Sequence, residues 1–113
     1  SWEIADVTAP FATLADASPV VWGISSFRIA NARVAITDNR ALSISGLRDG
    51  MQGCLVLSKA NAAHTLTLPA NSRLQGQTTR AAHVYSSAAN IDILRFTYIS
   101  ADDTLYWTFT SQF

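Results

Sequence analysis

From Leu42 onward the chain alternates apolar and polar residues in short runs cut by turn residues. The runs are Leu42-Ser43-Ile44-Ser45, Leu55-Val56-Leu57, Thr65-Leu66-Thr67-Leu68, Ile91 to Ile99 and Leu105 to Phe109. A strand sends successive side chains to opposite faces, whereas a helix repeats its apolar face every 3.6 residues. The pattern fits a sheet and leaves no place for a helical core. The Ala-rich pieces at 60–63, 81–82 and 88–89 are too short to nucleate a helix.

Residues 1–19 read as an irregular N-terminal arm. Ala9-Pro10 and Ser18-Pro19 break it, while Trp2, Ile4 and Phe11 give it apolar side chains with which to dock. Residues 20–113 form one domain. Its first strand starts at Val20. Thr37-Asp38-Asn39-Arg40 reads as a turn joining Val34-Ala35-Ile36 to Leu42-Ser43-Ile44 in a hairpin. Asp49-Gly50 is a turn, and Gly53 marks a bulge or a close approach where the next strand enters. Cys54 to Lys59 is nearly all apolar, as in a strand covered on both faces. Residues 70–82 read as a long loop. Ile91 to Ser100, the turn Ala101-Asp102-Asp103, and Thr104 to Thr110 make a closing hairpin. No internal repeat is visible. The expected fold is all-β: an antiparallel, jelly-roll-like β-sandwich of roughly eight strands.

Composition bears on the exterior. Hydrophobic residues make up 49% of the chain and charged residues 14%, against about 25% in soluble domains, and the net charge is zero. A surface this poor in charge favours association, so copies are expected to shield one another. The arginines are scattered and matched by acids, which argues against nucleic acid. Cys54 stands alone and reads as a small core residue. No apolar run reaches the ~18 residues of a spanning helix, and most strands fall short of the ~9–11 residues of a membrane barrel. No membrane insertion is expected. The start at Ser1-Trp2 rather than Met is what a fragment or processed product would show.

Chemistry is sparse. His64 and His83 have no ligand motif around them, so no metal is expected. No nucleophile elbow or oxyanion loop is present. Glu3 is the sole glutamate, and Asp38, Asp49 and the adjacent Asp102-Asp103 lie in turns. Asp92, between Ile91 and Ile93, reads as a structural residue facing solvent or capping the turn at Asn90. These features predict a protein that is not an enzyme and carries no cofactor. Binding candidates are Tyr98, Tyr106, Asn39, Arg40, Asn61, Asp102 and Asp103. Alternation sends Leu105, Trp107 and Phe109 to the core and Tyr106 to the other face. An exposed ring beside Asn and Asp suits stacking on a sugar. Loops around Asn39-Arg40, residues 61–63, residues 73–80 and Asp102-Asp103 are expected at one end of the sandwich, where loops carry function.

The pieces also resemble a known family. Thr13 to Ala17, Val20-Val21-Trp22, Ala32 to Ile36 with Asp38 to Leu42, the Asp49-Gly50-Met51-Gln52-Gly53 turn, Thr65 to Pro69, and Ala88 to Leu94 followed by Phe96 and Tyr98 carry the likeness. Together they are similar to the C-terminal β-domains of bacteriophage tail fibres and other virion appendages. The chain departs from that pattern at Trp22-Gly23 and at Ser58-Lys59. The resemblance implies a homotrimer in an extracellular virion appendage. It further implies multivalent attachment to a bacterial surface glycan or protein receptor. A structural trimerisation or capping module and a bacterial carbohydrate-binding module are the alternative expectations.

Overall fold

The computed structural model describes residues 11–24, 29–60 and 62–111. Among these there is no helix. Ten strands appear: β1 (Ala12–Thr13), β2 (Val20–Gly23), β3 (Ile29–Ala35), β4 (Arg40–Ser45), β5 (Gln52–Ser58), β6 (Leu66–Thr67), β7 (Ser72–Leu74), β8 (Val84–Tyr85), β9 (Ile91–Ile99) and β10 (Thr104–Thr110). β1 lies within the 1–19 segment. Trp2, Ile4 and Asn61 are outside the described residues.

The strands form a six-stranded sheet in the order β1-β3-β5-β9-β10-β7 and a four-stranded sheet in the order β2-β4-β6-β8. Consecutive strands alternate between the sheets until β9, and only β9 and β10 follow one another within a sheet. Ala12 lies beside Ala32, which lies beside Leu55, all in parallel strands. Val20 lies beside Leu42 in the other sheet, and Arg40 beside Leu66, again in parallel. From β1 to β6 the chain therefore winds as a flattened coil with one sheet on each side. β9 then runs antiparallel to β5, and β10 returns along β9 to reach β7.

The all-β expectation holds, but the pairing is not that of an antiparallel sandwich. Among the described residues five strand pairings are parallel and three antiparallel. The largest departure is the expected hairpin across residues 37–40. β3 and β4 sit in different sheets, and the turn is a corner. Ile36 N–H donates to Ser58 O on the six-stranded side, and Arg40 N–H donates to Thr65 O on the other. Asn39 pins the corner, its Oδ1 accepting from Thr65 N–H at 2.9 Å. The long loop expected over 70–82 contains β7, held parallel to β10. The closing hairpin is as expected, with Thr104 opposite Ile99 and Thr110 opposite Ile93.

The core lies between the sheets. β2 contributes Val20 and Trp22, β4 Leu42, β5 Leu55 and Leu57, β9 Leu94 and Phe96, and β10 Leu105 and Trp107. Trp22 meets Phe96 edge-on at 5.6 Å, and Phe96 meets Trp107 at 5.2 Å, so aromatic rings bridge the layers. Such pairs add about 0.5–1.5 kcal/mol each beyond area burial. The indole N–H of Trp107 donates to the buried Ser72 Oγ at 2.9 Å, which satisfies its polar atom and fastens β7. β5 is fully covered on one face only, since Cys54, Val56 and Ser58 are half-buried on the outer side.

Candidate functional site

Sheet register separates the residues that the sequence groups together. Ala35, Ser58 and Ile91 align at one end of the six-stranded sheet, and Ile29, Gln52, Thr97 and Tyr106 toward the other. Asn39 and Arg40 follow the first row. Asp102 and Asp103 form the turn beyond the second. The expectation that these loops share one end is therefore corrected: a coil places successive corners at both ends of its strands.

The hairpin tip gathers most of the candidates. Residues 100–103 make a tight turn closed by Asp103 N–H donating to Ser100 O, with Asp103 in the left-handed region at φ 50°. Asp tolerates that conformation better than most residues. Tyr98 OH donates to Asp103 Oδ1 at 2.7 Å, and Tyr106 OH to Asp102 Oδ2 at 2.9 Å. The Asp103 carboxylate holds the Tyr98 proton on, raising its pKa above the usual phenol value. Tyr98 is paired across the hairpin with Leu105 and Tyr106 with Thr97, so the two rings lie on opposite faces of the sheet and do not make one stacking platform.

Three residues outside the candidate set complete the tip. Arg80 Nη1 donates to the carbonyls of Asp102 and Asp103 at 2.9 and 3.1 Å. Asn71 Nδ2 donates to Asp103 Oδ1 at 3.3 Å. The Arg73 guanidinium sits 5.9 Å from the Tyr106 ring centroid and donates from Nε to Gln77 O. Arg73 and Arg80 bound the loop that the sequence marks as exposed, but nothing local assigns them to Asp102-Asp103. That contact depends on the parallel pairing of β7 with β10.

At the other end Arg40 serves the fold. Its Nε donates to Asp16 Oδ1 at 2.8 Å, and Thr37 Oγ1 donates to Asp16 Oδ2 at 2.7 Å. These bonds, the Arg40 bond foremost, lower the Asp16 pKa from 3.8 to about 2. A carboxyl whose folded pKa is depressed stabilises the fold above its free value and loses that contribution as pH falls through the folded one. The window here runs from 3.8 down to about 2. An NMR titration is expected to place the Asp16 midpoint near 2 and to move it back toward 3.8 in Arg40→Met. A midpoint unchanged by that substitution would show that the pair does not form.

A third cluster is buried. Lys59, just past β5, and Asp92 of β9 have fully buried side chains, with Nζ 2.6 Å from Oδ2. Ser87 joins them. Lys59 Nζ donates to Ser87 Oγ at 2.7 Å and Ser87 O at 2.9 Å, and Ser87 Oγ donates to Asp92 Oδ1 at 2.8 Å and Oδ2 at 2.9 Å. Burial and the Asp92 charge push the neighbouring Tyr85 hydroxyl up to about 12. This corrects the reading of Asp92 as a solvent-facing or capping residue. Parity along β9 sends residues 92, 94 and 96 inward. The same parity carries Leu55 and Leu57 on to Lys59, so the signal for both partners was present in the alternation.

His64 and His83 stand apart, with His83 Nε2 near Thr79 O at 3.3 Å. Among the described residues no group of three or more His, Cys, Asp or Glu is placed to hold a metal. No described helix is long and apolar enough to cross a membrane. Comparison with protein-family models, with curated proteins and with solved structures returned no match.

Proposed function

We propose that this chain is the attachment domain of a bacteriophage appendage, acting as a homotrimer that presents its hairpin tip to a bacterial surface glycan or protein. The observation that carries the reading is the convergence at the tip. Tyr98, Tyr106, Asp102 and Asp103 meet Arg73, Arg80 and Asn71 at the turn that joins β9, the longest described strand, to β10. Carboxylates, guanidinium groups and a half-exposed ring offer acceptors, donors and a stacking face to a polar ligand. Three weak sites on one trimer would gain avidity through effective concentration.

The outer face of the four-stranded sheet supports contact between copies. Val21 and Gly23 of β2, Ala41, Ser43 and Ser45 of β4, Thr67 of β6 and Val84 of β8 point outward, and none is charged. Val21 and Val84 are 61% and 57% exposed on this face. A structural role without a receptor is the second reading. It draws on the fact that both tyrosine hydroxyls at the tip are already bonded within the chain.

Light scattering together with binding to host cells and a glycan array tests both. The expected result is a trimer that binds, with Tyr106→Ala lowering binding at least tenfold while the mass is retained. A trimer that binds no surface would favour the structural role. A monodisperse monomer at micromolar concentration would overturn the oligomeric reading.

A further inference from the structure

We propose that Lys59 and Asp92 join covalently in the folded chain, forming an amide between Nζ and Cγ. The reactants are already in place. Nζ lies 2.6 Å from Oδ2, and both side chains are fully shielded from water. Each is held from two sides. Lys59 N–H donates to Asn90 O, and its Nζ is directed by the Ser87 carbonyl and hydroxyl. Asp92 is fixed by its register opposite Leu57 and by the Ser87 hydroxyl.

In water an amine and a carboxylate do not condense, because each is charged and hydrolysis reverses the product. A dry site acts on both obstacles. A proton passing from Nζ to Oδ2 across the contact leaves a neutral amine and a neutral acid, so the water-free site holds no desolvated charge during the step. Fixed geometry supplies the rest, since well-oriented intramolecular groups reach effective molarities of about 10⁵–10⁸ M.

The step balances without an outside reagent. The Nζ lone pair adds to Cγ, and the C=O electron pair moves to Oδ1, which accepts the Ser87 hydroxyl hydrogen bond. The carbonyl then re-forms as the Cγ–Oδ2 bond breaks. Oδ2 leaves as water, carrying the proton it received and a second one from Nζ. One C–N bond forms, one C–O bond breaks and one water departs past half-buried Ser87. Nothing is oxidised or reduced. The product would tie the exit of β5 to the entrance of β9, two neighbouring strands of the six-stranded sheet. It does not depend on any ligand at the hairpin tip.

Intact-mass spectrometry of the purified, denatured chain tests the bond. The expected mass is that of the sequence less one water. A protease map is expected to contain a branched peptide joining the Lys59 and Asp92 segments. A succinimide at Asp49-Gly50 would expel the same mass but give no branched peptide, and it would persist in Lys59→Met, so the map separates the two. The full sequence mass, or a water loss without the branched peptide, would overturn the proposal. Ser87→Ala is expected to retain the fold and to leave part of the purified chain at the full sequence mass. Complete loss of water in that variant would remove Ser87 from the step.

Discussion

Lys59→Met and Asp92→Leu, made singly, each destabilise the fold by at least about 3 kcal/mol, whereas the double variant is more stable than either single one. The expectation follows from what each change leaves behind. With both partners fully buried, removing one strands an uncompensated charge between the sheets. Such losses run to about 3–5 kcal/mol, while replacing a whole buried pair with apolar residues removes the desolvation cost together with the attraction. Because domains are stable by only about 5–15 kcal/mol, a single variant would sit near the edge of folding. Urea unfolding of the four proteins reads the coupling. A double variant whose loss equals the sum of the single losses would show that the two groups do not share one electrostatic site.

Gly53→Ala is expected to cost about 2–3 kcal/mol, large for the addition of one methyl group. Gly53 faces the core from β5, directly opposite Phe96 of β9. A Cβ built there would lie 2.1 Å from Phe96 Cε2 and 2.5 Å from Cζ, closer than carbon atoms approach without bonding. The ring has no easy retreat, since it is 2% exposed and packed between Trp22 and Trp107. The sheets must part or the ring must leave its rotamer. Adding Phe96→Leu to Gly53→Ala should return part of the loss, and thermal or urea unfolding of the cycle measures it. Additive losses would place the strain elsewhere.

The proposal for Lys59 and Asp92 and the stability cycle are separable. A charge stranded by either single substitution is costly whether the partners were joined by a hydrogen-bonded ion pair or by an amide. Mass alone reports the bond. The hairpin tip is a different matter, because Arg80, Asp102 and Asp103 are exposed, and substitutions at these residues are expected to alter binding more than folding.

Much of the fold was legible in the order of residues. Strand positions followed from alternation, and in the last strand so did the side facing the core, with residues 105 and 107 inward; the run from Cys54 to Lys59 read as covered on both faces, whereas only one of its faces is fully buried. The closing hairpin was legible because its strands are adjacent in sequence and joined by a turn rich in Asp. Gly53 as a point of close approach was legible too. The inward position of Lys59 and Asp92 was implied by the same parity, but two charged residues facing a core are read against their composition. Their partnership requires β5 and β9 to be neighbours, and that lies beyond any local pattern.

The partners were what tertiary structure decided. Alternation tells a strand which face is buried and says nothing about which strand accepts its hydrogen bonds, because every backbone offers the same N–H and C=O groups. Residues 37–40 could therefore have folded β4 back onto β3, or turned the corner into a second sheet, with an identical inside-outside pattern. The coil resulted once β1 and β5 took up the edges of β3, and β2 and β6 those of β4. That choice sent Arg40 and Asp102 to opposite ends, brought Arg73 and Arg80 to the hairpin tip, and closed Lys59 onto Asp92.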